Sequence, residues 1–317
     1  MQGRPSTRRR GGPSAEYAVQ EMSSTQRVAG RGPRRQGPQM LTMPTPLAAS
    51  TRLIGAPAPA GRGVRGGTDI YSPHPGSTVA DIAAVKRGIR ERVWRILEER
   101  GVARFPKPIR GRIPNFVGAE RAAARLVAHR VFQDAEVVFC CPDSPQRPVR
   151  EAALLAGKTL VMATPRLRRG FIILEGVPRR LARAASTIRG AFRYGRLVEV
   201  PPRPIDLKVT GSVAVTVRGD RLGKGGGYSD LEYAILRELG LVDEDTPVAT
   251  TVHELQVVDY IPMTRHDVPV DLIFTPSRVV EVEPRRPKPP GLILEELEPR
   301  KLSEVPLLRK LLGGRLS

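Results

Sequence analysis

The stretch AEVVFCCPDSPQRPVREAALLAGKTLVMAT, residues 135–164, decides the fold class. Two short apolar runs, AEVVFCC and GKTLVMAT, have the length and composition of buried strands, and PVREAALLA between them has the spacing of a helix. A strand, a helix and a second strand in this order form a βαβ unit, whose two strands run parallel. The stretch therefore predicts an α/β protein.

The first of these runs also holds the chain's two cysteines, Cys140 and Cys141. Adjacent side chains on a strand point to opposite faces, so this pair suits neither a zinc knuckle nor an ordinary disulfide. We expect both residues to be small buried side chains of a protein in a reducing cytoplasm.

Outward from this unit, hydrophobic spacing predicts the remaining elements. Helices are expected in STVADIAAVKRGIRERVWRILEERG (77–101), capped by Ser77 or Thr78, in GAERAAARLVAHRVF (118–132), PRRLARAASTIRGAF (178–192) and SDLEYAILRELG (229–240), with a short one at 301–312. Strands are expected in GFIILEG (170–176), VTGSVAVTV (209–217), TPVATTVH (246–253), DLIFTP (271–276) and RVVEVE (278–283).

Two flanking segments differ in composition from this central domain, residues 78–283. Residues 1–77 are rich in Gly, Pro, Arg and Ser and show no periodicity, which predicts a disordered basic tail. The tail could contact nucleic acid weakly, could be an inert extension, or could precede a true start at Met22, Met40 or Met43. Residues 284–317 are rich in Pro and charge and form a C-terminal extension.

The net charge of +20 favours polyanionic partners, and residues 1–80 hold 11 of the arginines but only three acidic residues. Arg outnumbers Lys by 44 to 8 and Asn115 is the only asparagine, a composition typical of a thermophile with a GC-rich genome. The same genome bias weakens a nucleic-acid interpretation. No apolar run reaches about 18 residues, and no apolar leader follows the basic start, so we expect a cytoplasmic protein without a membrane contact.

The most informative stretch for function is VTVRGDRLGKGGGYSDLEY, residues 215–233. Its spelling excludes a Walker A loop, because no hydroxyl residue follows Lys224, and a dinucleotide fingerprint, because Tyr228 stands where the third glycine belongs. A strand leading through glycines into a helix start is nevertheless suited to an anion, with Arg221 and Lys224 as mobile charges. The alternative is a glycine-rich turn.

Three further sets of residues could complete a phosphate site. Asp230, in the first turn of the next helix, could hold Mg²⁺ or simply cap the helix. Lys86 and Arg90 are four residues apart on one helix face, which could aim at a ligand or at solvent. Asp267 and Asp271 flank a strand start, where carboxylates can line a ligand crevice or form turns.

These pieces, in this order, resemble the 5-formyltetrahydrofolate cyclo-ligase family. KRGIR (86–90), RLGKGGGYSD (221–230) and HDVPVD (266–271) carry the resemblance, which covers roughly residues 80–283. RIPNF, TPRL, GYSDLEYA and QVVD are similar to a divergent branch that includes animal methenyltetrahydrofolate-synthetase-domain-containing proteins.

The resemblance implies a three-layer α/β/α sandwich with a mostly parallel sheet, as in sugar-phosphate isomerases and coenzyme A transferases. It also implies an ATP- and Mg²⁺-dependent ligase of one-carbon metabolism. In such an enzyme ATP phosphorylates the formyl oxygen of 5-formyltetrahydrofolate, N10 attacks, and 5,10-methenyltetrahydrofolate forms with release of phosphate.

The resemblance also assigns site residues. Lys224 and Arg90 would act in catalysis, and Asp230 and Asp267 would hold Mg²⁺. His253 and His266 need no catalytic role. The ATP phosphates would be bound by the following residues, of which Arg90 and residues 224–228 would also border the folate: Lys86, Arg90, Arg221, Leu222, Gly223, Lys224, Gly225, Gly226, Gly227, Tyr228 and Ser229.

The chain departs from the family pattern at the folate end. Where the best-known members have a Met- and Glu-rich folate segment, this chain reads CCPDSPQRPVR (140–150), and Ser229 replaces a second Tyr. Asp143 or Gln146 is expected to supply the missing hydrogen-bond partner. The alternative functions are a nucleotide-binding or RNA-associated protein that kept the ATP site without the folate pocket, and a sugar-phosphate isomerase.

Overall fold

A computed structural model of the chain describes residues 79–313, which fall within one compact unit, Gly66–Ser317. The predicted disordered tail, its alternative start sites and the caps Ser77 and Thr78 lie outside the described residues. The helices are α1 Val79–Glu99, α2 Ala119–Ala128, α3 Arg130–Gln133, α4 Arg147–Leu155, α5 Ala182–Ala185, α6 Ile188–Tyr194, α7 Tyr228–Glu238, α8 Pro299–Glu304 and α9 Pro306–Gly313. The strands are β1 Ala103–Arg104, β2 Asn115–Phe116, β3 Val137–Cys140, β4 Thr159–Ala163, β5 Phe171–Leu174, β6 Arg196–Val198, β7 Leu207–Thr210, β8 Ala214–Val215, β9 Arg221–Leu222, β10 Val248–Thr251, β11 Leu272–Phe274 and β12 Val279–Glu281.

Eight of these strands form the central sheet, in the order β12-β11-β10-β7-β3-β4-β5-β6. The five strands from β11 to β4 are parallel, and antiparallel pairings add β12 at one edge and β5 with β6 at the other. β3 and β4 pair in parallel with α4 between them, which confirms the predicted βαβ unit.

Side chains that alternate along the sheet build two separate cores, as the pleat requires. Val138 and Cys140 belong to the core beneath α2, α4, α5 and α6. Val137 and Phe139 belong to the opposite core, beneath α7 and the C-terminal helices α8 and α9. The predicted three-layer α/β/α sandwich with a mostly parallel sheet is therefore confirmed.

The predictions for helix α1 and for the two cysteines are confirmed, whereas the C-terminal helix differs from its prediction. Helix α1 ends before Gly101, which has a φ of 65°. Cys140 and Cys141 are both buried and free, as expected. The short helix predicted at 301–312 is two helices, α8 and α9, whose Leu308 lies in the core.

Three further segments predicted as continuous are also broken. The helix at 118–132 divides at His129, whose extended backbone lets its ring accept a hydrogen bond from Val131 N. The helix at 178–192 breaks before α6, where Thr187 caps the new start. In both cases the side chain of the N-cap residue accepts a hydrogen bond from a backbone N–H of the following turn, and a new helix begins there.

The predicted strand 209–217 is also wrong as one element. Its first part is β7 of the central sheet, and after Gly211 the chain turns into a two-stranded hairpin, β8 with β9. Helix α1 packs on this hairpin through a third core that includes Val93, Leu97, Ala214 and Leu222. The glycine-rich loop therefore follows a hairpin strand, β9, instead of a strand of the central sheet.

None of the described helices is long and apolar enough to cross a membrane.

Candidate functional site

The glycine-rich loop, residues 223–227, connects β9 to α7. Gly225 and Gly227 have φ values of 100° and 65°, which a side chain with a Cβ rarely adopts. Gly227 is the N-cap of α7 and offers no side-chain oxygen to the first amides of the helix. The amides at this helix start are therefore directed toward any anion that lies in the loop.

Helix α1 brings its two predicted cations against this loop. Arg90 Nε donates a hydrogen bond of 2.7 Å to the carbonyl of Gly223, and a Cβ placed on Gly225 would lie 3.4 Å from the Arg90 guanidinium carbon. One turn earlier, the ammonium of Lys86 pairs with Asp267 Oδ2. Lys86 and Arg90 thus share one face, and that face points at the loop.

Arg221 corrects the expectation of a mobile charge. Its side chain is buried, and its three nitrogens donate to Asp230 Oδ1 at 2.6 Å, to the carbonyl of Gly211 at 2.9 Å and to the carbonyl of Val268 at 3.2 Å. These bonds tie the hairpin to α7 and to the chain before β11. Arg221 is a fixed structural cation beneath the loop.

The two predicted metal-binding carboxylates both lie beside the loop and are both ion-paired. Burial alone would raise the pKa of Asp230, but the Arg221 guanidinium and the amide of Val268 hold it below its ordinary value. Asp267 Oδ2 accepts from Thr264 N at 2.6 Å and from Thr264 Oγ1 at 2.7 Å, in addition to Lys86. No group of three or more His, Cys, Asp or Glu residues gathers as a metal cluster anywhere in residues 79–313.

Asp271, in contrast, lies away from the loop. Its carboxylate is buried at the amino end of β11, where it accepts from Val248 N and pairs with Lys288 at 3.1 Å. The suggestion that Asp271 lines a ligand crevice is therefore wrong, and its role is to join β10 to the segment after β12.

Lys224 is the exposed cation of the loop. Its ammonium lies 2.9 Å from Asp143 Oδ1, and 45% of its side chain is accessible to solvent. Burial lowers the pKa of Lys224, but the Asp143 carboxylate outweighs that effect and raises it above the ordinary value. Lys224 is therefore charged at neutral pH and close to an anion that a phosphate could replace.

The loop and α7 are also held from the C-terminal segment, a contact the sequence analysis missed. Lys301 of α8 donates to the carbonyl of Gly226, and its ammonium lies 3.3 Å from the centre of the Tyr228 ring. The Tyr228 hydroxyl in turn contacts Glu304. Burial lowers the pKa of Lys301 to about 8. The charge-rich composition of residues 284–317 did not predict that this segment packs against the glycine-rich loop.

Two cavities flank the loop and meet at Lys224. The larger, of about 760 Å³, lies over the carboxyl ends of β3 and β7; its lining includes Ile113, Asp143, Arg166, Lys224, Tyr228 and Glu232. The smaller, of about 400 Å³, lies between α1 and the loop; its lining includes Lys86, Arg87, Arg90, Lys224 and Gly225. The first has the size of a small-molecule pocket, and the second is strongly cationic.

The remaining predicted residues have defined places. Ser229 Oγ lies 2.7 Å from Thr210 Oγ1, and Leu222 is buried in the core under α1. Gln146 is fully buried, where its amide donates to Thr251, so of the two substitutes expected in segment 140–150 Asp143 alone lines the larger cavity. His253 caps a short turn through Leu255 N, and His266 contacts Glu296.

The sequence analysis also missed a buried ion pair beside the larger cavity. Lys208 of β7 and Glu232 of α7 lie 3.7 Å apart, with 1% and 9% of their side chains accessible. Burial lowers the pKa of Lys208 and raises that of Glu232, each opposed by the charge of the other. Lys208 alternates with apolar residues in an ordinary strand pattern, so its burial was not predictable from the sequence.

Comparison with known proteins identifies relatives of this chain. The model of the 5-formyltetrahydrofolate cyclo-ligase family matches residues 82–276. The methenyltetrahydrofolate synthase domain-containing protein of Bos taurus is 41% identical over 234 residues, which cover 71% of this chain and 61% of the relative. The protein of the same name from Mus musculus is 42% identical, with 71% and 63% covered. The chain thus spans about three fifths of the length of these curated relatives.

Two solved structures are also similar. The 5,10-methenyltetrahydrofolate synthetase of Aquifex aeolicus has a TM-score of 0.41 and 21% identity, with 67% of this chain and 98% of that chain covered. The 5,10-methenyltetrahydrofolate synthetase of Mycoplasma pneumoniae has a TM-score of 0.37 and 15% identity, with 60% and 97% covered.

Proposed function

The chain belongs to the 5-formyltetrahydrofolate cyclo-ligase family, and from this premise we propose that it converts 5-formyltetrahydrofolate, or a related formyl pterin, to the 5,10-methenyl form. ATP is consumed in this reaction, and ADP and phosphate are released. One observation supports the proposal independently of family membership. Lys224 borders both the smaller, cationic cavity and the larger cavity, whose lining is partly apolar and partly charged. A phosphoryl group passing from ATP to a formyl oxygen needs a cation at such a junction.

In this proposal the smaller cavity holds the phosphates of ATP. Lys86 and Arg90 supply positive charge from α1, and the amides of Lys224 and Gly225 can supply hydrogen-bond donors from the loop. A phosphate that enters would compete with Asp143 for Lys224 and with Asp267 for Lys86. Both cations are therefore already positioned and would exchange one anion for another.

Asp230 and Asp267 have the donor chemistry that Mg²⁺ prefers, since it is commonly bound by one or two carboxylates together with phosphate and water. The hydrogen bonds of these residues within the described chain use Oδ1 of Asp230 and Oδ2 of Asp267. Each carboxylate thus keeps a second oxygen for a cation, and the residues fit Mg²⁺. When bound, Mg²⁺ would neutralise phosphate charge.

Catalysis in this proposal is electrostatic. Lys224 and Arg90 stabilise charge on the transferred phosphoryl group, the loop amides orient it, and Arg221 fixes Asp230 from beneath. The chain supplies no nucleophile, because the reacting oxygen and N10 both belong to the substrate. The larger cavity would hold the folate ring, with Tyr228 on its wall.

The test is a coupled spectroscopic assay with 5-formyltetrahydrofolate, ATP and Mg²⁺. We expect a rise in absorbance of the methenyl product that requires all three and is lost in Asp230→Asn. If no product forms while ATP still raises the melting temperature, the cyclo-ligase proposal fails and the nucleotide-binding alternative takes its place. If ATP has no effect on stability, both fail.

We further propose a cytoplasmic location, supported by two free, buried thiols that suit a reducing compartment. The thermophilic source and a weak nucleic-acid contact through residues 1–77 stay predictions from composition.

A further inference from the structure

Helix α7 packs on strand β7 through two polar pairs in an otherwise apolar interface. Ser229 and Glu232 are three residues apart and share one face of the helix, whereas Lys208 and Thr210 are two apart and share one face of the strand. Ser229 faces Thr210, and Glu232 faces Lys208. The two pairs form adjacent steps at the floor of the larger cavity, whose lining includes both Ser229 and Glu232.

The two pairs differ in whether their polar atoms form hydrogen bonds. Ser229 and Thr210 form a hydrogen bond of 2.7 Å. Lys208 Nζ and Glu232 Oε2 are too far apart for a hydrogen bond at 3.7 Å, and neither atom has another hydrogen-bond partner among the described residues. Lys208 instead lies 3.9 Å from the centre of the Phe139 ring. Burying two charges without hydrogen bonds costs more than their attraction returns, so the pair is a poor structural device.

The other carboxylates that line this cavity are already engaged. Asp143 pairs with Lys224, and Asp230 pairs with Arg221. Of the three cavity-lining carboxylates in residues 79–313, Glu232 is therefore the one that accepts no hydrogen bond at either oxygen from the described residues. A ligand that enters the cavity meets an acceptor whose negative charge is already balanced from behind by Lys208.

We propose that Glu232 is the residue that recognises the heterocycle of the substrate, by accepting hydrogen bonds from two adjacent N–H donors. In a pterin these are the ring N3–H and the 2-amino group, and a carboxylate matches such a pair as it matches a guanidinium. Lys208 is a positioning residue, which orients the Glu232 carboxylate and places a positive charge behind it. The inference rests on the proposed function, because it names the part of a formyl pterin that the same cavity reads.

The test uses two fluorescent probes that differ at one group: pterin, and 4-hydroxypteridine, which lacks the 2-amino group. We expect the full-length protein to bind pterin roughly 10- to 100-fold more tightly, the range of a hydrogen bond to a charged group. Glu232→Gln should lose most of this preference, because an amide accepts from one donor and opposes the other. Lys208→Met should weaken the preference less, because it leaves the carboxylate in place.

Asp271→Asn is the matched control, since Asp271 is also a buried, ion-paired carboxylate but does not line the cavity. It should lower thermal stability and leave the preference for pterin unchanged. If Glu232→Gln and Asp271→Asn behave alike toward the two probes, the inference is overturned. A wild-type preference below about threefold overturns it as well, and that measurement holds even if Glu232→Gln does not fold.

Failure of this inference can be told apart from failure of the proposed function. Turnover of 5-formyltetrahydrofolate with an unchanged KM in Glu232→Gln would retain the ligase and remove Glu232 from recognition. A Glu232-dependent preference for pterin in a protein that forms no methenyl product would retain the pterin site and remove the reaction.

Discussion

The two cations of the glycine-rich motif, Arg221 and Lys224, are three residues apart in the sequence but differ in how far they are buried. Arg221 is 3% exposed and donates a hydrogen bond from each of its three guanidinium nitrogens, whereas the side chain of Lys224 is 45% exposed and pairs with one carboxylate. The motif could be identified from the sequence, because the spelling of RLGKGGGYSD is specific. The different roles of Arg221 and Lys224 could not, because Arg221 is held in part by Val268, which lies 47 residues away along the chain.

Lys224→Ala should lower kcat/KM for the ligase reaction on the order of 100-fold, the cost of one lost transition-state cation or donor. Its melting temperature should stay close to wild type, because a half-exposed ion pair contributes little to folding. Steady-state kinetics and calorimetry check the two parts. Lys310→Ala, which removes an exposed lysine paired with Glu199, is the control and should match wild type in both.

Arg221→Met should show the opposite pattern, with a free energy of unfolding lower by about 3–5 kcal/mol, because it leaves the Asp230 carboxylate buried without its partner. Urea unfolding measures the loss. An Arg221→Met protein as stable as wild type would contradict the structural role assigned to this residue.

Asp230 should make stability depend on pH in the acid range. Its pKa is held below the ordinary value near 4 by Arg221 and Val268 N, so its ionised form stabilises the fold at pH above about 4. This contribution is lost as the pH falls through the lower pKa of the folded state. The stability difference between wild type and Asp230→Asn should therefore shrink below pH 4 in urea titrations. Exposed Asp134→Asn, on the surface after α3, is the control. A difference independent of pH would contradict the assignment.

At the scale of elements, the glycine-rich loop is braced from two sides, by Arg90 of α1 and by Lys301 of α8. The first brace could be anticipated, because Lys86 and Arg90 share a helix face. The second could not, since α8 reaches the loop only after the chain has completed the sheet.

Lys301→Met should loosen the loop without unfolding the domain, because it removes the donor to the Gly226 carbonyl and the cation above the Tyr228 ring. Amide exchange of residues 223–228 should rise about tenfold, which corresponds to the loss of about 1.4 kcal/mol. Exchange mass spectrometry measures this. Arg300→Met is the matched control on the same helix, since Arg300 is exposed and pairs with Glu298. Equal amide exchange in the two variants would contradict the conclusion that α8 stabilises the loop.

The break between β7 and β8 shows why element boundaries were harder to predict than element types. The alternation in VTGSVAVTV continues through Gly211, so the sequence indicates one strand. In the fold, the side-chain amide of Gln256 donates to the carbonyls of Ser212 and Val213, in place of a sheet partner. That amide lies more than 40 residues away along the chain, so no local pattern reveals it.

At the scale of the whole molecule, the proposed chemistry lies inside the described residues. The three cores, the two cavities and the ion pairs described above are formed by residues between 79 and 313. Residues 1–77 contribute 11 arginines and three acidic residues, and hence about +8 of the net charge of +20. Catalysis and charge-driven binding to polyanions should therefore be separable.

Deletion of residues 1–77 should leave kcat and the KM for 5-formyltetrahydrofolate within about twofold of the full-length protein, a free-energy change under about 0.5 kcal/mol. The same deletion should remove most of any affinity for single-stranded RNA. In the full-length protein that affinity should fall steeply with salt, because each neutralised phosphate of a single strand contributes about −0.7 to the logarithmic slope. Fluorescence anisotropy with a labelled RNA oligomer, at several salt concentrations, measures the second effect. The deletion carries its own control, since an intact rate shows that the remaining protein is folded. Equal RNA affinity in both proteins would assign the polyanion contact to residues after 77, where the remaining arginines would have to provide it.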